Sequence, residues 1–210
     1  MLEGNVSKII DNKNIFLDSH DKLLESSCIN HTFNTKIRNI IDLRKHKTYT
    51  IDQKETTEID DAISLEYSGE NVILWIHISN PAIHIDLGSD VDLEARKRAS
   101  TIYLVESKMS MFPEELIMSK LSLIAGKDRI ATSIYVVVNK NGLIISSNVV
   151  FSIINVNYNL SYDDADELLD LLPKEEIQLI KIYQTLMNVR NHRLQDAEII
   201  INKSIGIIKK

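Results

Sequence analysis

The sequence predicts a mixed α/β fold, an α+β arrangement in which helices pack on one mixed sheet. Three observations carry this expectation. Apolar residues recur at period two through 47–52, 62–67 and 72–79, the spacing of half-buried strands. Asn141-Gly142 separates two long β-branched runs, a strong short-range hairpin signal. Apolar spacing turns helical over 90–105 and again from Ser161 to about Asn191.

Taken in order, residues 1–35 are polar and weakly patterned, with "NIFLD" as a short strand. "KTYTID" (47–52) is a strand running into an acidic loop. "AISLEY" (62–67) is the next strand, "SGEN" a turn and "VILWIHIS" (72–79) a third strand. In that third strand Val72, Leu74, Ile76 and Ile78 share one face, and Asn80-Pro81 stops it. "DVDLEARKRASTIYLV" (90–105) reads as a helix with Asp90 as N-cap and Asp92 and Glu94 near its positive end. Pro113 followed by Glu114-Glu115 opens another helix, which Gly126 ends. "IATSIYVVVNKNGLIISSNVVFSII" is the hairpin. Helical spacing over 161–191 is interrupted at Pro173, and "AEIIINKSIGIIKK" is apolar and strand-like. The chain contains no internal repeat and no low-complexity linker.

Composition narrows the function. The 210 residues are 44% hydrophobic and 26% charged, with six Gly and three Pro, enough apolar material for a sizeable core. No run of 18 apolar residues occurs, so no membrane span is expected. "MLEGNVSKIIDNKN" lacks the basic and apolar regions of a secretory signal and the Arg- and Ser-rich look of an imported precursor. The single Cys28 excludes an internal disulfide and a multi-Cys zinc site. The N-x-S/T matches at Asn5, Asn30, Asn159 and Asn202 carry little weight without a route to glycosylation. Abundant Ile, Asn and Lys have A/T-rich codons, which points to an A/T-rich genome such as those of some bacteria and plastids. A net charge of −6 argues against a free-standing nucleic-acid binder. It leaves room for an RNA enzyme whose site is locally basic or metal-filled.

The chemistry concentrates in "TYTIDQKETTEIDDAISLEY" (48–67). Asp52, Glu55, Glu58, Asp60 and Asp61 fall within ten positions, offset only by Lys54. Two readings compete. Charge runs are usually a solvated face. Against that, these acids sit between strands whose pattern implies burial, where like charges repel unless a cation sits among them. "DQKETTEID" has no glycine for an EF-hand turn, and no His or Cys lies between His46 and His77 for zinc. All-oxygen ligands suit Mg²⁺ or Mn²⁺, and such clusters support metal-assisted phosphodiester chemistry.

"IDLRKHKTYTIDQKETTEIDDAIS" resembles the opening of the catalytic domain of the ribonuclease II/ribonuclease R (RNB) family: D-L-R, then T-I-D, then a spaced acid and D-D-A/G. "WIHISNPAIHIDLGSDVDLEARKRASTIYL" resembles the V-H-I-A-D segment and the helix that follows it. "MSMFPEELIMSKLSLIAG" resembles M-x-P-E-x-L…S-L-x-x-G, and "NLSYDDADELL" resembles L-T-Y-E-x-A-D. These blocks keep their order over residues 40–172 and more weakly to about 200, and the wording is nearest the cyanobacterial and plastid branch. Two positions depart: the acid of HIAD is Asn80, and the glycine of the RG-T-S stretch is Ala99.

The resemblance implies the N-terminal part of an RNB-type catalytic domain over 39–210, after a short segment 1–38 with no complete cold-shock domain. It implies a 3′→5′ exoribonuclease that hydrolyses single-stranded RNA to 5′-nucleoside monophosphates with Mg²⁺ or Mn²⁺. It matches Asp52, Glu58, Asp60 and Asp61 to the family's metal-site acids, with Asp52 and Asp61 binding metal, Glu58 nearby and Asp60 essential to the chemical step. It matches Tyr103 to an aromatic that stacks on RNA; from its helical spacing alone Tyr103 reads as core. The expected location is the plastid stroma or a bacterial cytoplasm. The chain is expected to end before the arginine, the glutamate and the RNA-binding barrel that the family's later segments supply. That sets an alternative beside the enzyme: a truncated, inactive remnant, or half of a split enzyme completed by a second polypeptide.

Overall fold

The computed structural model describes residues 40–104 and 107–195; segment 1–38 and "AEIIINKSIGIIKK" lie outside the described residues. In chain order the strands are β1 (Ile40–Asp42), β2 (Thr48–Asp52), β3 (Asp61–Ser68), β4 (Asn71–Ser79), β5 (Ile102–Tyr103), β6 (Lys108–Met109), β7 (Asp128–Val138), β8 (Ile144–Asn155) and β9 (Tyr158–Ser161). The helices are α1 (Asp90–Arg98), α2 (Glu114–Leu116), α3 (Tyr162–Leu171) and α4 (Ile177–Gln195). Mixed α+β architecture is thus as expected. None of the described helices is long and apolar enough to cross a membrane.

Seven strands form one mixed sheet in the order β1-β8-β7-β4-β3-β2-β9. The outer pairs β1–β8 and β2–β9 are parallel and the inner pairs antiparallel. Strands β8 and β9 stand five places apart in that order, which is roughly 24 Å across a flat sheet. Only Val156 and Asn157 join them, a reach of about 10 Å. The sheet must therefore curl enough to bring the end of β8 near the start of β9. Beside that link the Asn157 amide donates to the Thr48 carbonyl at 2.9 Å, and the Thr48 amide donates to Asn157 Oδ1 at 2.8 Å, which extends the β2–β9 pairing.

Curling gives the sheet an inside and an outside. Ala62, Trp75, Ala131 and Ile154 alternate inward and pack with Leu43, Ile59, Leu123 and Val156. Four polar residues share that interior without any exposure: Ser64, His77, Ser133 and Ser152. The His77 ring bridges them, with Nε2 2.9 Å from Ser64 Oγ and Nδ1 2.7 Å from Ser133 Oγ; Ser133 continues to Ser152. Buried polar groups are tolerated when paired in this way. Burial pushes the His77 imidazole down to about 4, helped by the charge of His46.

Outside, α4 covers a second core of Tyr49, Leu65, Leu74 and Val138 through Leu179 and Ile182. The shared face read for "VILWIHIS" is real but divided. Leu74 is buried under α4, whereas Ile76 and Ile78 are 36% and 38% exposed beyond it. Val149 and Phe151 extend the uncovered area.

Three helix expectations are corrected. Ser89, not Asp90, caps α1, accepting from the Asp92 amide. The helix stops at Arg98 because Ala99 turns left-handed at φ 61°, so Tyr103 lies on a strand. The helix after Pro113 passes into a π turn at Ile117–Leu121 and ends there, with Ser122 extended; Gly126 serves a later turn at φ 73°. The Asn141-Gly142 hairpin and the break at Pro173 are found as read.

Candidate active site

Two neighbouring antiparallel strands deliver the acids to one end of the sheet: Asp52 ends β2 and Asp61 begins β3. A turn closed by the Thr56 amide on the Gln53 carbonyl (2.9 Å) sends the chain back toward β3. Residues 57–60 are then strapped down from both sides. Ser122 Oγ donates to the Thr57 carbonyl at 2.8 Å and accepts the Ile59 amide at 3.0 Å. The Leu123 amide donates to the Ile59 carbonyl, and the Ser79 amide to that of Asp60, at 2.9 and 2.8 Å. Ile59 is buried by this strapping.

The acids perturb one another. Burial pushes the Asp60 carboxyl up, and the charges of Glu58, Asp61 and Asp52 push it further. Burial and then Asp61 push Asp52 up as well. Among the described residues neither carboxylate forms an ion pair with a lysine or arginine. Like charges gathered without compensation favour a bound cation or a held proton. Among the described residues, no three His, Cys, Asp or Glu side chains converge tightly enough to hold a metal ion as they stand.

Glu58 differs from its neighbours. Burial raises its carboxyl, but hydrogen bonds from Ser110, Lys108 and Thr101 with the Lys108 charge outweigh this and hold it low. Lys108 Nζ lies 3.0 Å from Oε1, the Ser110 hydroxyl donates to the same oxygen, and Thr101 donates to Oε2 at 2.9 Å. Sequence reasoning missed these partners, which lie more than forty positions away and belong to no acidic pattern.

Tyr103 sits on the small β5–β6 ribbon and is 71% exposed, which removes it from the core. Asn80, in the place of the family's HIAD acid, donates to Thr132 Oγ1 at 2.9 Å and is buried. Arg129 spends its guanidinium on the carbonyls of Ser122, Met118 and Asp128.

A curled mixed sheet with carboxylates gathered at one end, beside an exposed aromatic ribbon, defines an α+β domain with an acidic site. Residues 40–207 match the RNB domain, and the chain belongs to that family. It is 41% identical over 140 residues to Ribonuclease II, chloroplastic/mitochondrial, of Arabidopsis thaliana, covering 66% of this chain and 17% of the plant protein. It is 35% identical over 169 residues to an uncharacterised ribonuclease of Synechocystis, covering 80% of this chain and 25% of that protein. The fold matches Mycoplasma genitalium RNase R, solved with ribose-methylated single-stranded RNA, at a TM-score of 0.74 and 20% identity, over 84% of this chain and 28% of that one. The chain thus spans a quarter or so of the length of these relatives.

Proposed function

We propose that this chain is the acid-bearing part of a 3′→5′ exoribonuclease that hydrolyses single-stranded RNA to 5′-nucleoside monophosphates. The observation that carries the reading is the gathering of acids where β2 ends in Asp52 and β3 begins at Asp61, with burial first and neighbouring carboxylates second pushing Asp52 and Asp60 up. The ribonuclease names of the relatives and the single-stranded RNA in the RNase R complex support the substrate class.

The donor set is all carboxylate oxygen, which fits Mg²⁺ or Mn²⁺. Asp52, Asp60 and Asp61 would hold the ion once drawn closer than they stand here, and a bound ion would supply charge for the attacking and leaving oxygens. Asp60, the most strongly crowded acid, is assigned to the chemical step. Strapping at Thr57, Ile59 and Asp60 keeps its backbone fixed, so orientation costs little during reaction. Tyr103 offers an exposed ring on which a base can stack without sequence preference.

A second reading has its own support: a half that binds metal or RNA but turns over only with a second polypeptide. Phosphoryl transfer normally meets developing charge with a cationic donor, and Arg129 is spent on carbonyls. The uncovered Ile76, Ile78, Val149 and Phe151 suit the docking of such a partner. The plant and cyanobacterial relatives support a plastid or bacterial cytoplasmic setting.

The test is an assay of the purified, sized chain on 3′-tailed single-stranded RNA in Mg²⁺, beside Asp60→Asn. Mononucleotides from the parent, and none from an Asp60→Asn protein that still binds RNA, are expected of the enzyme. A variant cleaving at more than a tenth of the parent rate rules out the Asp60 role. An inert parent that binds RNA or Mg²⁺ selects the second reading.

A further inference from the structure

Glu58 was matched to a metal-site acid, yet its bonds point elsewhere. Both carboxylate oxygens are occupied, Oε1 by Lys108 and Ser110 and Oε2 by Thr101, and its side chain is only 11% exposed. A carboxylate offers about four lone-pair sites, and three are taken, one of them by a cation that would repel a divalent ion.

The three donors share one address. Thr101 immediately precedes β5, Lys108 opens β6 and Ser110 follows it, so they grip both legs of the ribbon that carries Tyr103. Thr101 Oγ1 also accepts the Met111 amide at 3.0 Å, tying one leg to the other. Lys108 adds a bond of 2.6 Å to Thr57 Oγ1, and the Thr57 carbonyl is strapped by Ser122. The ribbon has just two residue pairs, Ile102 with Met109 and Tyr103 with Lys108, and forms a sheet of its own. A ribbon that short does not hold itself in water.

We propose that Glu58 is a positioning residue rather than a metal ligand: it clasps the β5–β6 ribbon and so fixes Tyr103 relative to Asp52, Asp60 and Asp61. The inference rests on the acidic site being the functional one. It changes what the longer arm of Glu58 does. Where an aspartate would stop short, the extra methylene carries the carboxylate to Lys108 and Ser110.

The test uses the full chain, with Mg²⁺ as the probe, and three variants: Glu58→Ala, Lys108→Met and Asp52→Asn. Two readouts are taken, apparent Mg²⁺ affinity from the shift in melting midpoint and amide hydrogen exchange across the ribbon. Glu58→Ala and Lys108→Met should each speed exchange of the Leu104 and Met111 amides at least tenfold and leave Mg²⁺ affinity within about threefold. Asp52→Asn should weaken Mg²⁺ more than tenfold and leave ribbon exchange unchanged. Two results overturn the clasp: ribbon exchange untouched in both Glu58→Ala and Lys108→Met, or Mg²⁺ affinity falling as far in Glu58→Ala as in Asp52→Asn. If Glu58→Ala does not fold, Lys108→Met carries the exchange test and Glu58→Gln the Mg²⁺ test. Failure of the underlying site reading looks different, because Mg²⁺ then leaves the midpoint of the parent itself unmoved. The clasp is in that case judged on exchange alone.

Discussion

His77 Nδ1 lies 2.7 Å from Ser133 Oγ inside the curled sheet, with Ser64 on the opposite ring nitrogen. A neutral imidazole donates from one nitrogen and accepts at the other, so one flanking hydroxyl can place its proton on the ring; charging the ring removes that acceptor.

Acid sensitivity follows from that pairing. The unfolded imidazole takes up a proton near 6.5, whereas burial and the His46 charge hold the folded one down to about 4. Between these values the unfolded state binds more protons, so stability is full above 6.5 and is lost as pH falls toward 4. The loss attributable to His77 is on the order of 3 kcal/mol. Urea midpoints measured across this window should fall for the parent and fall less steeply for His77→Gln, in which His84, also held down by burial, keeps a share of the slope. Equal slopes would place the titration in another group.

Asp60 has the opposite sign. Its folded pKa is raised above 3.8, so the unfolded carboxyl ionises first and the cost of the folded charge grows as pH rises. Without divalent cation, Asp60→Asn should raise the melting midpoint at pH 7, by roughly 2–4 °C for each kcal/mol relieved, and change little at pH 3. Mg²⁺ at ten times its dissociation constant should lift the parent by about 1.4 kcal/mol and narrow the gap. An Asp60→Asn protein that melts below the parent in EDTA would contradict the crowding.

Tyr103 is tested by product length. If its ring is the last stacking surface before the site, Tyr103→Ala should change the size of the final undegraded oligonucleotide, in this chain or in its completed form. One base stacked on an aromatic is worth about 1–3 kcal/mol. End products identical to those of the parent would leave the ring without this role.

Ala99 ends α1 at φ 61°, where a side chain is strained. Ala99→Gly should relieve about 1 kcal/mol of that strain, less the entropy glycine adds to the unfolded chain. Thermal melts should show a small gain. A loss of several degrees would mean the Ala99 methyl has a packing role.

Much of the sheet was legible because strand periodicity is a local property. The Asn141-Gly142 turn was read from backbone preference, but Gly142 has a second reason: a Cβ there would overlap the backbone of Asn188 on α4. Helical spacing runs on past α1 because Ile102 and Tyr103 fall seven and eight positions after Ala95, and periodicity does not register a left-handed Ala99. The acids were found as a cluster, yet their division was not. What separates Glu58 from Asp60 is contact with Lys108 and Ser110, a tertiary fact. The interior of Ser64, His77, Ser133 and Ser152 was invisible for a related reason: small polar residues read as surface until the curl of the sheet buries them.

The short link between β8 and β9 bears on how the domain comes apart. An open sheet can shed an edge strand and keep the remainder; here two residues tie the edge strand β9 to β8, five places away, so it cannot leave alone. Asp52 ends the strand held between β3 and β9, at the opposite end of β2 from Thr48. Loss of β9 would leave β2 paired on one side only and loosen Asp52 with it. Opening should behave as a single cooperative event, with the amides of Thr48 and Asn157 exchanging as slowly as those at the centre of β4.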